Sequence, residues 1–266
     1  MKTGFLITAR LKSSRLPMKI LLDLNGQTVI GRIIDRIKEI HDISEIVLCT
    51  STNHQDKPLV DIAQGKDIYY FCGSEEDVLQ RLLDAGKFFD LDYFIGITAD
   101  NPLFSIYYSN RIVDQIKQNQ YDFTRVEGLP FGAATYGLKI KALETVCRIK
   151  TLVDTEIWGH LVNRPEIFDV HTIQTDEKFR RPELRFTLDY WQDYQMINHL
   201  YRNVPFQKVL NLSDVLDYID LHPEVKKMNS KCEQLDIDQS KKEEIDRIYS
   251  ENLEKIKDLK EEIYRQ

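Results

Sequence analysis

The sequence lacks the short motifs that mark the most familiar cofactor sites. It has no glycine-rich G-x-G-x-x-G turn after a strand and no G-x-x-x-x-G-K-[S/T] loop, which argues against a dinucleotide coenzyme and a P-loop kinase. Its six histidines occur without H-x-H or H-E-x-x-H spacing, which disfavours a zinc centre. No Ser-His-Asp or Cys-His arrangement points to a covalent enzyme intermediate.

Cysteine is also scarce, with four residues in 266 and no C-x-x-C pair. We therefore expect reduced thiols and a cytoplasmic protein. No run approaches the ~18 to 20 apolar residues that span a bilayer, and residues 1–10 do not have the pattern of a signal peptide. We expect a soluble protein with no membrane partner. The net charge of −7 repels phosphate backbones, which argues against nucleic acid as a partner.

Short apolar runs alternate with helical patterns in the first hundred residues. The predicted strands are 4–9, 45–50, 68–71 and 93–98, and the predicted helices between them include 29–40 and 75–89. Strands and helices that alternate at this length are typical of a parallel sheet with crossover helices. The sequence therefore predicts an α/β fold with a mostly parallel central sheet flanked by helices.

The second half of the chain is less regular. It predicts helices at 105–119, 139–148, 154–163 and 212–221, strand-like runs at 167–173 and 184–188, and a glycine- and aromatic-rich loop at 128–137. We expect residues 1–229 to form the main domain, with a smaller lobe at about 125–180. Residues 230–266 form a charged tail with helical periodicity from 236 onward. Packing on the body, docking on a partner and a solvated helix all explain that periodicity.

Positive charge is concentrated in the loop after the first predicted strand. Arg10, Lys12, Arg15 and Lys19 fall within ten positions of a net acidic chain. In a parallel sheet, the loop at the carboxyl end of a strand is where ligands bind. Several basic donors in one loop suit a triphosphate, although a solvated basic loop accounts for the same charges equally well.

Two aspartates stand where predicted strands end. Asp100 follows the fourth strand, and Asp189 follows the run 184–188. Hard cations such as Mg²⁺ take one or two carboxylates together with substrate phosphates. A helix cap or a turn is the ordinary alternative for either residue.

The motif Arg10-x-x-Ser13-x-Arg15-Leu16-Pro17-x-Lys19-x-Leu21 resembles the N-terminal signature of the CMP-KDO and CMP-acylneuraminate synthetases. Over its length the chain is more similar still to the cytidylyltransferase group named for spore coat polysaccharide biosynthesis protein F. Further matching stretches lie at 50–53, 73–81, 100–102, 181–189, 212–216 and 222–224. The resemblance covers about residues 1–229.

This resemblance implies a Rossmann-like nucleotide-diphospho-sugar transferase fold and assigns roles position by position. By this resemblance, the residues that contact the nucleotide and its triphosphate are Thr8, Ala9, Arg10, Arg15 and Lys19. Recognition of cytosine and ribose falls to Gly73, Ser74 and Arg81. Asp100 and Asp189 become Mg²⁺ ligands, and Arg10, Lys19 and Asp100 become the catalytic residues.

The implied enzyme is a Mg²⁺-dependent cytidylyltransferase that transfers CMP from CTP to a sugar acid or related acidic acceptor. It releases pyrophosphate, serves surface polysaccharide or glycoconjugate synthesis, and forms a homodimer through the small lobe. Arg125, Tyr136 and Arg185 are candidate acceptor contacts because of the segments they occupy. The sequence departs from the pattern at Met18, where glycine is usual, and at 132–137, where an acidic residue is missing.

Three alternatives remain open. A sugar-1-phosphate nucleotidyltransferase of the same fold normally carries a G-G-x-G-x-R loop, which is missing. A glycosyltransferase that uses a nucleotide sugar normally carries a D-x-D pair, and Asp90-Leu91-Asp92 has that spacing but precedes its strand. A non-catalytic family member would bind nucleotide and use its charged tail as a docking helix.

Overall fold

Seven strands form one sheet in the order β3-β2-β1-β4-β6-β5-β7 in the computed structural model, which describes residues 1–151, 153, 155, 157–234 and 237–266. The strands are β1 (Thr3–Thr8), β2 (Glu45–Ser51), β3 (Tyr69–Gly73), β4 (Tyr93–Thr98), β5 (Phe123–Glu127), β6 (Tyr136–Lys139) and β7 (Val170–Gln174). Only β6 runs against its neighbours among the described strands. The predicted α/β class and mostly parallel sheet are confirmed.

The helices cover both faces of this sheet. They are α1 (Val29–Ile37), α2 (Lys57–Gly65), α3 (Val78–Phe88), α4 (Ile106–Asn119), α5 (Ile140–Ile149), α6 (Gly159–Val162), α7 (Trp191–Asn203), α8 (Leu212–Leu221), α9 (Gln239–Glu251) and α10 (Leu253–Arg265). Side-chain caps fix several starts, because a helix's first N–H groups have no partner within the helix. Thr28 accepts from Gly31 N at α1, and Ser105 accepts from Tyr108 N at α4.

Two apolar layers hold these helices on the sheet. On one face, α1, α4, α7 and α8 pack against alternate residues of β1 and β4 such as Phe5 and Ile97. On the other face, α3, α5, α9 and α10 pack against the intervening residues such as Leu6 and Phe94. Each fully buried side chain of this size stabilises the fold by about 1.5–3 kcal/mol. The central strands are therefore rigid supports for the loops at their carboxyl ends.

Three predicted elements need correction, and one helix has to be added. Residues 184–188 form no strand and make only one isolated bridge, Phe131 to Arg185. Of the predicted helix 154–163, the structure has only Gly159–Val162, and residues 154 and 156 lie outside the described part. Helix α7 was not predicted at all. The tail, predicted as one helix from residue 236 (itself outside the described residues), has two helices that meet at Asn252.

The two tail helices pack on the body. The side chains of Ile245, Tyr249 and Ile256 join the apolar layer of α3 and α5, and Ile263 of α10 is also buried. Asp122, at the start of β5, accepts hydrogen bonds from the tail, including one of 2.6 Å from Lys260 Nζ. No helix in the described ranges is long and apolar enough to cross a membrane.

Strands β1 and β4 lie side by side at the centre of the sheet and end at the same level. Thr8 pairs with Thr98, and Ala99 N continues the ladder to Thr8 O at 2.9 Å. The loops that follow these two strands therefore emerge together, and they carry the basic motif and Asp100.

Candidate active site

A cluster of alternating charges lies at the carboxyl ends of β1 and β4. Lys19 Nζ is 2.6 Å from Asp100 Oδ2 and 2.9 Å from Asp189 Oδ1. Arg15 Nη2 lies 3.0 Å from Asp189 Oδ1, and Arg185 Nη2 lies 2.7 Å from Asp189 Oδ2. The structure thus brings together both predicted metal ligands and two of the predicted triphosphate contacts.

Lys19 reaches the two carboxylates because the chain turns sharply just before it. Met18 has φ 56° and ψ 21°, in the left-handed region, and precedes the short 3-10 turn Lys19–Leu21. A residue with a Cβ is disfavoured in this region, whereas glycine adopts it freely. The glycine usual at this position is thereby explained, and Met18 adopts the same turn with strain.

Asp100 is held from three sides. Its Oδ1 accepts a 2.6 Å hydrogen bond from Thr98 Oγ1, and its carbonyl accepts from Leu188 N at 2.9 Å. The second of these bonds ties the segment that carries Asp189 to the end of β4. The end of β4 and the segment that carries Asp189 also pack closely together at Gly132. A Cβ on this glycine would lie 2.7 Å from both Asn101 Oδ1 and Thr187 N.

The proximity of opposite charges outweighs the cost of burial in this cluster. Burial disfavours the charged form of Lys19, but Asp100 and Asp189 together raise the pKa of its ammonium above the usual value. Burial also disfavours a charged Asp189, yet Lys19, Arg15 and Arg185 lower the pKa of that carboxyl. Lys19 and Asp189 are therefore both ionised at neutral pH.

A second polar group surrounds the ends of β2 and β3. Glu75 accepts hydrogen bonds from Asn53 Nδ2 at 3.0 Å and Lys12 Nζ at 3.4 Å, and these bonds lower the pKa of its carboxyl. Arg10 is close enough to act electrostatically on both Glu75 and Arg81. Arg10 therefore lies near the ends of β2 and β3.

Arg81 lies beneath the turn Gly73–Ser74 and has no exposed surface. Its Nη1 donates to Ser74 O at 2.7 Å, while Nε and Nη2 have no protein partner among the described residues. Burial lowers the pKa of this guanidinium, and the charge of Arg10 acts in the same direction. Two buried donors without partners fit a polar ligand at this turn.

Asp193 is the supporting residue that the sequence analysis missed. Its buried Oδ2 accepts from the backbone N of both Asp189 and Tyr190, each at 3.0 Å. Its Oδ1 accepts from Arg185 Nε at 3.0 Å and from Asn229 Nδ2 at 2.9 Å. An acidic residue three positions into a helix often caps its start, and that spacing was the available signal.

The backbone of the first turn is largely used within the protein. Ala9 N donates to Cys49 O at 3.1 Å, and Thr8 O accepts from Ala99 N. Leu11 N donates to Asp56 Oδ1 at 2.7 Å. The N–H groups of Ala9 and Leu11 are therefore already satisfied within the protein.

Two of the three candidate acceptor residues lie apart from the charged cluster. Tyr136 packs against Phe94 and Trp158, with ring centroids 6.0 and 4.7 Å away. Arg125 Nε donates to Thr172 Oγ1 at 3.0 Å on the neighbouring strand. Arg185 is the one candidate that contacts Asp189 directly.

The D-x-D pair lies far from this cluster in the fold. Asp90 and Asp92 precede β4, at the opposite end of the strand from Asp100. Asp92 Oδ2 accepts from Lys2 N at 2.6 Å and so serves to anchor the start of β1. This placement removes the observation that favoured a glycosyltransferase.

The cluster provides two carboxylates for a cation. Within the described ranges, no group of three or more His, Cys, Asp or Glu side chains comes together as a metal site. Two carboxylates that both reach the Lys19 ammonium offer hard oxygen ligands at one point. Mg²⁺ fits such a set, because it is commonly held by one or two carboxylates and completes its shell with phosphates and water.

Several known proteins are similar to this chain. A sequence model described as cytidylyltransferase matches residues 5–265, including the tail. The spore coat polysaccharide biosynthesis protein SpsF of Bacillus subtilis is 26% identical over 231 residues, which cover 83% of this chain and 95% of SpsF. A 3-deoxy-manno-octulosonate cytidylyltransferase of Chloroherpeton thalassium is 33% identical over 105 residues, covering 39% of this chain and 41% of that protein.

A solved structure shows the same fold. A cytidylyltransferase from Leptospira borgpetersenii superposes with a TM-score of 0.79 at 24% identity, over 89% of this chain and 99% of that one. The predicted resemblance is thereby confirmed over more of the chain than residues 1–229. The match of the family model to nearly the whole sequence leads to one conclusion: the chain belongs to the cytidylyltransferase family of nucleotidyltransferases.

Proposed function

We propose that this protein transfers CMP from CTP to a sugar acid or related acidic acceptor, depends on Mg²⁺, and releases pyrophosphate. One observation carries the proposal. Asp100 and Asp189 come from separate segments, yet their carboxylates meet at the Lys19 ammonium, 2.6 and 2.9 Å away. Two carboxylates that converge on one ammonium support a cation site at this point.

Asp100 and Asp189 would hold the metal ion. When bound, Mg²⁺ neutralises charge that develops on the phosphate oxygens and the leaving pyrophosphate. Both carboxylates are mostly buried, with 19% and 14% of the side chain exposed. Their burial makes them fixed ligands that need little rearrangement to receive the ion.

The basic side chains would act on the phosphates. An acceptor oxygen forms a bond to the α-phosphorus of CTP, and the bond from that phosphorus to the bridging oxygen of pyrophosphate breaks. Lys19 and Arg15, which both contact Asp189, would donate hydrogen bonds to phosphate oxygens beside the residues that would hold the metal. Arg10 reaches the same space from the β2–β3 side. Positively charged donors fixed near the breaking bond stabilise the transition state more than the ground state.

The acceptor is proposed from the relatives and from the charge of the site. One relative is named for 3-deoxy-manno-octulosonate and another for spore coat polysaccharide, which supports a 2-keto sugar acid used for surface polysaccharide. Arg185 is our foremost proposed acceptor contact, with Arg125 and Tyr136 as further proposed contacts. The homodimer and the cytoplasmic location stay predictions.

Nucleotide binding and turnover test the proposal in sequence. We expect CTP with Mg²⁺ to raise the melting temperature of the protein more than ATP, GTP or UTP does. We then expect pyrophosphate release from CTP with at least one acid from a panel of 2-keto sugar acids. A glycosyltransferase would release no pyrophosphate. Absence of any shift with all four triphosphates would refute the proposal.

Substitution of the metal ligands provides the matched test. We expect Asp100→Asn and Asp189→Asn each to lower turnover by about 100-fold or more, because each removes a charged ligand from the reacting centre. Asp61→Asn on the exposed side of α2 is the control and should turn over normally. Normal turnover of Asp100→Asn would exclude that residue as a metal ligand.

A further inference from the structure

An open pocket of about 320 Å³ lies next to Asp189, between the start of α7 and the segment 227–233. Its lining includes Tyr190, Gln192, Lys227, Asn229 and Lys231. Tyr190 separates the pocket from the charged cluster, since Arg15 and Arg185 lie 5.1 and 5.8 Å from the centre of its ring. The pocket is therefore one side chain away from a proposed metal ligand.

The far wall of the pocket is tied to the same carboxylate network. Asn229 is only 4% exposed, and its amide donates to Arg185 O and Asp193 Oδ1, both at 2.9 Å. Arg185 Nη1 donates to Gln234 Oε1 at 2.5 Å, while its Nη2 holds Asp189. The segment after α8 is thus held in place by buried hydrogen bonds to the residues that position Asp189.

The lining of this pocket suits a small anion. Lys227 and Lys231 are both exposed, and no carboxylate in the described part of the chain lies within ion-pair distance of either ammonium. Among the described residues of the lining, Glu233 is the only acidic one. In a protein of net charge −7, two unpaired ammonium groups beside one pocket provide a local attraction for a carboxylate or phosphate.

The other lining groups suit a polyol. Asn229, Gln192 and the Tyr190 hydroxyl offer hydrogen-bonding atoms of both kinds. The volume is at the lower end of the ~300–1,000 Å³ range for small-molecule pockets. A single sugar-sized acid fits this volume, whereas an oligosaccharide does not.

We propose that this pocket binds the acidic end of the acceptor, a monomeric polyol that carries a carboxylate or a phosphate, through Lys227 and Lys231. The inference rests on the proposed function, because the acceptor hydroxyl must reach the α-phosphate beside Asp189. It assigns acceptor selection to the segment that follows α8, outside the basic loop and the β3 turn that serve the nucleotide.

Cys232 is a built-in reporter for the pocket. Its thiol is part of the lining and half-buried, whereas Cys72 is exposed on β3 at the other end of the sheet. Burial and the nearby Asp193 raise the pKa of the Cys232 thiol, so alkylation by iodoacetamide is measured at pH 8.5. The rates at Cys232 and Cys72 are followed in the full chain by mass spectrometry, with CTP and Mg²⁺ present.

The probes are gluconate, 2-keto-3-deoxyoctonate and glucose 6-phosphate, with glucose as the neutral control. We expect at least one acid to slow alkylation of Cys232 several-fold and saturably, and to leave Cys72 unchanged. Protection by gluconate or the keto acid would identify carboxylate recognition, and protection by glucose 6-phosphate alone would identify phosphate recognition. If no acid protects Cys232 more than glucose does, the proposal is overturned.

Paired lysine variants complete the test. The double variant Lys227→Ala/Lys231→Ala should lose the protection and should raise KM for the acceptor about 10- to 100-fold, with KM for CTP unchanged within about 2-fold. Lys226→Ala, an exposed neighbour outside the lining, is the matched control. Equal protection in the double variant would overturn the proposal. Loss of the CTP-induced thermal shift in the wild type would instead refute the proposed function, so the two failures are distinguishable.

Discussion

Replacement of Asp193 by Asn tests whether the buried carboxylate network holds the active site together. Asp193 has no exposed surface, and each of its two oxygens accepts two hydrogen bonds of 2.9–3.0 Å. Asn keeps the size of the side chain but turns one oxygen into an NH₂ group that cannot accept. Whichever oxygen is replaced, two donors lose their acceptor and face another donor.

The expected loss of stability is large. Hydrogen bonds to a charged group are worth about 1.5–3 kcal/mol each, and the substitution also removes the fully buried one of the two carboxylates that pair with the Arg185 guanidinium. Breaking one partner of a buried pair typically costs about 3–5 kcal/mol. We therefore expect Asp193→Asn to lower the free energy of unfolding by about 3–5 kcal/mol, measured by urea denaturation. The Mg²⁺ concentration needed for the CTP-induced thermal shift should rise, because the Asp189 backbone loses its anchor.

Asp217→Asn provides the control with the same chemical change at the surface. Asp217 is 58% exposed and pairs only with Lys178, at 2.9 Å, so its loss should cost at most about 1 kcal/mol. The reasoning would be refuted if Asp193→Asn unfolded within about 1 kcal/mol of the wild type. It would also be refuted if stability fell while the Mg²⁺ dependence of the thermal shift stayed the same.

Three further predictions concern other parts of the molecule. Met18→Gly should stabilise the protein by about 0.5–1 kcal/mol in urea denaturation. Glycine relieves about 1–2 kcal/mol of strain in the left-handed backbone conformation, and this gain exceeds the conformational entropy that glycine adds to the unfolded chain. A lower stability of the variant would contradict the strain. The lowered pKa of Asp189 contributes stability that is lost as pH falls below its unfolded value of 3.8, and the raised pKa of Lys19 contributes stability that is lost as pH rises above 10.5. Urea midpoints across pH should therefore fall at both ends, and Lys19→Met should weaken the alkaline fall; an unchanged alkaline slope in that variant would count against the cluster. Ile256→Ala should lower the free energy of unfolding by about 2–5 kcal/mol because the tail is part of the core. Leu221, which is 78% exposed, is the control, and Leu221→Ala should lower it by under about 0.5 kcal/mol. Equal effects would show that the tail is not packed on the body.

The predictions were wrong where the burial of a segment depends on contacts with residues far away in the chain. Leu184, Phe186 and Leu188 alternate in the sequence as strand residues do, and all three are buried. They are buried because the segment crosses the carboxyl ends of β1 and β4, where it forms one bridge and no ladder. Helix α7 was missed because its first turn buries Asp193, a residue type that sequence patterns place at the surface. Only the partners of that carboxylate make its burial tolerable.

The sequence by itself determined the parts of the protein that depend on short-range order. Apolar runs of strand length separated by amphipathic helices specify the central strands, and the loop from Arg10 to Lys19 follows β1 directly, so its position at the carboxyl end was predictable. The place of Asp100 after β4 follows in the same way. These features depend on residues that are close together in the chain.

Only the tertiary structure decided which distant residues meet. That Asp189 lies 2.9 Å from Lys19, that Asn229 joins the network of Asp193, and that the charged tail packs on α5 all depend on contacts between segments far apart in the chain. Such contacts form because burial of apolar surface brings the segments together and because each buried charge then requires a partner. Neither condition is visible in a local pattern, so the places of the basic loop and of Asp100 could be read from the sequence, and the contact between Asp189 and Lys19 could not.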